Sequence, residues 1–297
     1  MPFKSFTDYL LLEKNYSVLT VNAYTKDLEE FLRFIDNHTG IKSINQANYS
    51  QIRSWIVFLV ESGISNRSIN RKMSSLNTYY KFLLKTSDII SNPLLKHKAL
   101  KTDRKVQIPF SKNEIAMVLD DLNFDNDDFE SIRNKFIIEL FYSTGIRRIE
   151  LITLKLSNID FHNKTLKVLG KRNKQRIVPL LESVIETGTK YLEQRKGLGG
   201  ILDDDILFLT KKGVKVYETL VYRIIKDYFS SVSSKTKNSP HIIRHSFATH
   251  LLNEGASLNA VKELLGHSSL ASTQVYTHNS ISELKNVHIK AHPRSKK

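Results

Sequence analysis

Hydrophobic residues recur at three- and four-residue intervals along much of the first hundred positions, which is the spacing of one face of an α-helix. One such run begins at Val21 and another at Ile69, with a further apolar segment at residues 55–59 between them. The two runs comprise Val21, Tyr24, Leu28, Phe31, Leu32 and Ile35, and Ile69, Met73, Leu76, Tyr80 and Leu83. This pattern predicts an all-helical bundle over residues 1–95.

A basic segment follows the bundle. Asn92-Pro93 is a helix-stopping pair, and residues 96–105 are rich in Lys and Arg and show little periodicity. Such a run is typical of an exposed linker, which we place at residues 96–108. With 297 residues the chain is long enough for a second domain, which we place at residues 109–297.

The second domain combines helical patterns with short strands. Ser111 and Glu114 have the Ser-x-x-Glu spacing of a capping box that opens a helix. Further helical patterns cover residues 136–142, 183–195, 217–229 and much of 240–278, and strand patterns cover residues 159–161, 165–169 and 176–180. A polar turn at residues 170–174 joins the last two strands. We therefore predict a mainly α chain with a small antiparallel β-sheet.

Charge and composition narrow the class of partner. Lys and Arg number 45 against 30 Asp and Glu, a formal net charge of +15, which favours a polyanion such as nucleic acid. The longest strongly apolar runs are far too short to span a bilayer, and the N-terminus lacks the features of a signal peptide. The absence of cysteine excludes disulfides, thiolate nucleophiles and cysteine-ligated metals. We expect a cytoplasmic protein with no membrane insertion.

Candidate chemistry concentrates in residues 240–278. His241 and Arg244 are three residues apart, so on a helix they share a face, and an arginine fork can bind two phosphate oxygens at once. His267 follows a glycine that suits a helix C-cap, and Tyr276 follows nine residues later. Taken singly, each residue has an ordinary interpretation: a surface pair, a cation at a helix end, a half-buried tyrosine.

Two further basic segments lie upstream. Arg147 and Arg148 follow the glycine turn at Gly145 and begin a helix, where backbone amides favour an anion. Either arginine could equally form a salt bridge with Glu150. Lys171 lies in the predicted hairpin turn, where a lysine is usually exposed to solvent.

Four segments together resemble the signature boxes of the tyrosine recombinase family, most closely the bacterial Xer site-specific recombinases. They are TGIRRIEL, GKRNKQRIVP, HIIRHSFATHLL and LLGHSSLASTQVYTH, in that order, and the resemblance extends over nearly the whole chain. It implies a catalytic domain whose catalytic residues are Arg147, Lys171, His241, Arg244, His267 and Tyr276. It also implies that Glu150 is the acidic residue that supports Arg147. The match to the motif selects Arg147 rather than Arg148 as the catalytic arginine.

The resemblance implies a reaction. Tyr276 attacks a DNA phosphate to give a 3′-phosphotyrosyl link and, after strand exchange, a Holliday junction. Arg147 and Arg244 hold the non-bridging oxygens, and Lys171 is the candidate acid for the departing 5′ hydroxyl. No metal or other cofactor is expected. Among relatives of this size the implied role is resolution of chromosome or plasmid dimers, hence chromosome partition at cell division.

The resemblance also implies partners. Two domains close around duplex DNA carrying a specific site, and four protomers assemble, as a homotetramer or with a paralogue, with activation by a DNA translocase of the FtsK type as an option. A C-terminal helix at residues 281–289 is expected to dock into a neighbouring protomer. The expected DNA contacts are Arg67, Arg71, Lys72, Lys101, Arg104, Lys105, Arg172, Lys174 and Arg176.

Three alternatives stay open at this point. A minimal integrase or invertase of a mobile element would use the same residues. A type IB topoisomerase uses similar chemistry on one duplex, although the Xer-like motifs and the C-terminal helix argue against it. A DNA-binding protein that has lost catalysis is disfavoured because all six catalytic positions carry competent residue types. No residue identifies the DNA target sequence.

Overall fold

The chain divides into two compact units, Met1–Lys105 and Val106–Lys297. The computed structural model describes residues 3–102, 107–121, 128–170, 174–233, 238–266 and 286–295. The first unit is helical, and the second is helical with a three-stranded antiparallel sheet, so the predicted fold class is confirmed. The boundary between the units lies inside the segment that the sequence predicts as a linker.

Four helices build the first unit. They are α1 (Lys4–Asp8), which continues as a π-helical turn over Tyr9–Glu13, α2 (Val18–Thr39), α3 (Tyr49–Glu61) and α4 (Asn66–Lys85). Local sequence explains their ends. The Ser17 hydroxyl caps α2, a left-handed Gly40 terminates it, and Asn48 forms a capping box at the start of α3.

The core of the first unit contains the predicted hydrophobic positions. Phe31 of α2 and Trp55 of α3 are buried with their ring centroids 4.9 Å apart, and Leu76 and Tyr80 of α4 are fully buried. The sequence pattern did not predict α1. Its Phe6 packs edge-on against Tyr79 of α4 at 5.1 Å, which closes one side of the bundle.

A buried carboxylate joins α2 to α4. Asp27 is 1% exposed and accepts hydrogen bonds from Arg71 at 2.5 and 2.8 Å, from Lys72 at 3.2 Å and from the Ser75 hydroxyl at 2.7 Å. Lys72 also pairs with Glu30. Burying a charge is tolerated only when it is paired in this way. The prediction that Lys72 contacts DNA is therefore wrong, because its ammonium is enclosed by carboxylates inside the bundle.

Part of the predicted linker lies fixed against α4. The Asn70 side chain bonds both the N–H and the C=O of Leu100, each at 2.9 Å, and the Asn66 amide donates to the Lys101 carbonyl at 2.8 Å. The side chain of Lys101 is exposed, as is that of Arg67 beside Asn66. These two cations therefore form an exposed basic surface on the first unit.

In the described part of the second unit, helices and the sheet pack around one core, and residues 286–291 add a further helical segment. The other helices and the strands are α5 (Lys112–Asp121), α6 (Phe129–Thr144), α7 (Arg148–Ile152), β1 (Ile159–Asp160), β2 (Thr165–Leu169), β3 (Gln175–Pro179), α8 (Glu182–Lys196), α9 (Glu218–Ser230), α10 (Pro240–Asn253) and α11 (Leu258–Leu265). The strand order is β1-β2-β3, and Leu166 pairs with Val178 across the predicted hairpin. The Gly170 N–H donates to the Lys174 carbonyl at 2.7 Å and closes its turn.

Helix α6 is the centre of this unit. It contacts α5, α8, α9 and α10, and its residues 135–144 are all buried, so the helix is enclosed on every side over that length. Among its residues Phe136, Ile137, Leu140 and Phe141 are fully buried. None of the helices that the structure describes is long and apolar enough to cross a membrane.

The Asp27 cluster should dominate the stability of the first unit. Asp27→Ala leaves the Lys72 ammonium buried with Glu30 as its remaining partner, so the free energy of unfolding should fall by about 3 kcal/mol. Urea unfolding followed by tryptophan fluorescence measures this, since the chain has one tryptophan and Trp55 lies in that core. The exposed Glu29→Ala on the same helix is the control. Equal midpoints for the two variants would contradict the prediction.

Candidate active site

A tight glycine turn places the first arginine. Gly145 ends α6 with φ +58°, a conformation that side chains disfavour. A Cβ atom on it would lie 2.5 Å from a ring carbon of Phe247 on α10 and 2.7 Å from a methyl of Leu265 on α11. The turn is therefore packed against both helices, and it delivers Arg147 to the N-cap of α7.

One buried carboxylate holds two arginines. Glu150, 5% exposed, accepts the Arg147 backbone N–H at 2.9 Å and its guanidinium at 2.7 Å. It also accepts a two-pronged bond from Arg176 of β3, at 3.1 and 2.8 Å. Burial alone would raise the pKa of Glu150, but the hydrogen bonds and charges of Arg176 and Arg147 outweigh it and lower the pKa to about 2. Glu150 is therefore ionised throughout the physiological range.

Three arginines meet at the C-terminal end of α11. The last carbonyls of a helix lack partners within the helix, and the helix dipole favours cations there. Three successive carbonyls each accept from a different arginine. Arg176 donates to Leu264 at 2.9 Å, Arg244 to Leu265 at 2.7 Å, and Arg147 to Gly266 at 3.3 Å.

Helix α10 supplies Arg244 to this cluster. Ile242 and Ile243 face the core as the sequence predicts, and Arg244 is 9% exposed. It also donates to the Gly145 carbonyl in the α6–α7 turn. Burial, with the charges of Arg147 and Arg176, lowers its pKa to about 9, which leaves it protonated at neutral pH. His241 lies one turn earlier and is exposed.

The cluster carries excess positive charge. Three guanidinium groups face one carboxylate, which leaves a net charge of +2 in a largely buried place. Such a site favours an anion with several acceptor oxygens, as in a phosphodiester. Arg148 points elsewhere, since it pairs with Glu218 of α9. The structure thus brings Arg147 and Arg244 together and separates Arg148 from them.

Three predicted catalytic residues, Lys171, His267 and Tyr276, lie outside the described residues. His267 directly follows Gly266, the left-handed C-cap of α11, and Lys171 directly follows Gly170 at the end of β2. Three predicted DNA contacts, Arg104, Lys105 and Arg172, also lie outside the described residues.

The other predicted DNA contacts differ in how exposed their side chains are. Arg67, Lys101 and Lys174 are exposed, and Arg71 is half exposed although paired with Asp27. Arg176 is 4% exposed, so its prediction as a DNA contact is wrong. The strand pattern held the signal for this, because Arg176 shares the face of β3 with buried Val178, two residues on.

The chain is similar to known proteins over nearly its whole length. Residues 110–283 match the model of the phage integrase family, and residues 3–87 match its N-terminal SAM-like domain. A tyrosine recombinase XerC from Anoxybacillus flavithermus is 40% identical over 98% of this chain and 97% of that protein. A tyrosine recombinase XerC from Bacillus pumilus is 38% identical over 98% of this chain and 95% of that protein.

Solved structures show the same fold. The XerH site-specific recombinase bound to a palindromic difH substrate matches with a TM-score of 0.72 at 23% identity, over 92% of this chain and 80% of that one. The Tn1549 transposon integrase in complex with circular intermediate DNA matches with a TM-score of 0.69 at 22% identity, over 95% of this chain and 98% of that one. At these identities the likeness is one of fold.

The C-terminal segment 286–295 packs on α6 of its own second unit; it contains residues 286–289 of the predicted helix, and residues 281–285 lie outside the described residues. His288 and His292, both buried, bond the carbonyls of Ser143 and Tyr142 at the end of α6, at 2.6 and 3.1 Å. The Tyr142 hydroxyl lies 2.9 Å from Nδ1 of His250 on α10. No pattern in the sequence predicts this histidine cluster, because each member looks like an isolated polar residue.

The docked segment should loosen in acid. Burial lowers the pKa of His288, and burial with the neighbouring His288 lowers that of His292 to about 3. The docked form therefore binds fewer protons than the released form. The free energy by which the histidines favour docking is thus present above the ordinary histidine pKa of about 6.5 and is lost as pH falls below that value. Between the ordinary histidine pKa and its own lowered pKa, His292 should contribute about 1.4 kcal/mol per pH unit. Glu139 on α6, whose pKa burial raises, acts in the opposite direction.

A single spin label can measure the release. The chain has no cysteine, so Lys290→Cys, at an exposed position, gives a unique attachment site. We expect label mobility to rise between pH 7 and pH 5, with a label at exposed Glu193→Cys on α8 as control. His292→Phe should flatten the response. An unchanged profile in that variant would show that the histidine does not drive it.

Proposed function

This chain belongs to the phage integrase family and is a tyrosine-type DNA recombinase, and we propose that it cuts and rejoins duplex DNA at a specific site through a covalent Tyr276 intermediate. The observation that carries the proposal is the arginine cluster at the end of α11. Arg147 and Arg244 converge there. The cluster carries a net positive charge, and its one buried carboxylate, Glu150, pairs with Arg147 and Arg176.

The cluster is arranged for a phosphate that gains negative charge. In the transition state the two non-bridging oxygens carry the developing charge, and Arg147 and Arg244 would donate to them. Removing one such preorganised donor typically costs ~10²–10³ in rate. Because the guanidinium groups are already held by helix carbonyls and Glu150, they need little rearrangement when DNA arrives.

The other predicted catalytic residues would make the new bond, transfer the protons and bind the phosphate. The Tyr276 oxygen forms a bond to phosphorus while the bond from phosphorus to the 5′ oxygen breaks. The phenol proton passes to a base, for which His241 is the candidate, and Lys171 donates a proton to the departing 5′ oxygen. His267 hydrogen-bonds the phosphate. Attack by another 5′ hydroxyl reverses these steps, so the phosphotyrosyl link conserves the bond energy without ATP.

The proposed substrate is duplex DNA with a recombination site, acted on by a tetramer of this chain or of this chain and a paralogue. Resolution of chromosome or plasmid dimers is the proposed role, with a translocase of the FtsK type as a possible activator. In such an assembly the surface on α6 that holds segment 286–295 would receive the corresponding segment of a neighbour. The exposed Arg67, Lys101 and Lys174 would contact phosphates.

Loss of the nucleophile should abolish the covalent intermediate. Wild type mixed with nicked duplexes that carry candidate sites should form a protein–DNA adduct, because the cleaved end diffuses away and rejoining fails. Tyr276→Phe should bind the same DNA and form none. The adduct is read on a denaturing gel, and the modified peptide by mass spectrometry.

Tyr222→Phe is the matched control, since Tyr222 is an exposed tyrosine on α9 and should keep full adduct formation. An adduct that persists in Tyr276→Phe would falsify the nucleophile assignment. Relaxation of supercoiled DNA without any site, at the rate of site-specific cleavage, would instead favour a topoisomerase.

The phosphate contact proposed for Arg67 predicts a change in salt dependence. Arg67→Ala should reduce the slope of log affinity against log salt by about 1, because one fewer counterion is released on binding. Filter binding or fluorescence anisotropy from low to moderate salt measures the slope. Arg33→Ala, an exposed arginine on α2 outside the predicted contacts, should leave it unchanged. Equal slopes for Arg67→Ala and wild type would remove Arg67 from the contact set.

A further inference from the structure

The structure points to a third arginine in the active-site machinery, and we infer that Arg176 is a positioning residue that orients Arg147. This inference rests on the proposed function of the same site. Arg176 would not touch DNA. It would act through Glu150, while the end of α11 anchors it on the other side.

The hydrogen bonds of Arg176 support a positioning role. Arg176 is 4% exposed, and three of its bonds are to Glu150 and to the end of α11. Two go to the separate oxygens of Glu150, at 3.1 and 2.8 Å, and the third goes to the Leu264 carbonyl at 2.9 Å. A planar guanidinium can span a carboxylate with one edge while its Nε bonds elsewhere, whereas a lysine ammonium cannot reproduce both.

A single residue, Glu150, links Arg176 to Arg147. Glu150 shares one oxygen between Arg176 and the Arg147 guanidinium, and it accepts the Arg147 backbone N–H with the other. Without Arg176 the carboxylate would keep only its bonds to Arg147 itself and would be less firmly oriented. The Arg147 fork would then lose the orientation that phosphate binding needs.

The stem of Arg176 is anchored at the end of α11. Gly266 has φ +63°, and a Cβ atom on it would lie 3.0 Å from Cδ of Arg176. The arginine stem therefore packs directly against the C-cap of α11. The side chain that orients Glu150 is thus itself held in place by that helix end.

The experiment compares Arg176→Lys with Arg195→Lys. Arg195 is also a buried arginine of the second unit, and its guanidinium binds the carbonyls of Asp204 and Ile206 at 2.7 and 2.9 Å, so the control makes the same chemical change in a similar setting. On a nicked duplex that wild type cleaves, at saturating protein, Arg176→Lys should slow adduct formation by up to about a hundredfold. Arg195→Lys should stay within about twofold of wild type.

A double mutant separates positioning from general destabilisation. If Arg176 acts through Arg147, Arg176→Lys should cost no more than about twofold when added to Arg147→Lys. Melting temperatures and DNA affinities are measured alongside. Should Arg176→Lys fail to fold, Glu150→Gln replaces it, because it keeps the carboxylate's shape while weakening the same link, and the same losses are expected.

The pH profile gives a second readout. In Arg176→Gln, Glu150 stays buried but loses the neighbouring Arg176 charge, so it should take up a proton at a higher pH than in wild type. Cleavage by Arg176→Gln should therefore fall between pH 7 and pH 5 more steeply than cleavage by wild type. Wild-type rates for Arg176→Lys, or an equal loss in Arg195→Lys, would overturn the inference. Absence of any adduct with wild type would overturn the proposed function instead.

Discussion

The C-terminal end of α11 is the point on which the rest of the site depends. Its last three carbonyls have no partners within the helix, and three arginines from β3, α7 and α10 supply them. Each element is anchored elsewhere in the core, so the helix end works as a fixed frame for the arginines. The same bonds that complete the helix hold two guanidinium groups ready for a phosphate.

Charge balance explains why this frame can bind an anion and still fold. One buried carboxylate, Glu150, offsets part of the arginine charge and keeps Arg176 satisfied inside the protein. Removing all the positive charge would remove the reason for a phosphate to bind. Leaving all of it unpaired would make burial of the arginines too costly. The single shared carboxylate meets both requirements.

The first unit uses the same principle for stability alone. Asp27 gathers Arg71, Lys72 and Ser75 between α2 and α4, and the cluster leaves little excess charge. The basic surface that could meet DNA is a separate one, formed by exposed Arg67 and Lys101. Basic residues on one helix therefore divide between an internal ion cluster and an exposed surface.

Periodicity and local residue chemistry are properties of short segments, so the helical bundle and the β2–β3 hairpin could be predicted from the sequence, and the resemblance of the motifs to a family selected Arg147 and Arg244. That Lys72 and Arg176 lie inside and that segment 286–295 packs on α6 emerged only from the folded chain. A basic residue on a helix or strand looks the same whether its face is covered or open. What covers that face comes from residues distant in the chain, so charge cannot reveal it, and spacing does so only where an apolar residue marks the covered face, as Val178 does for Arg176 on β3.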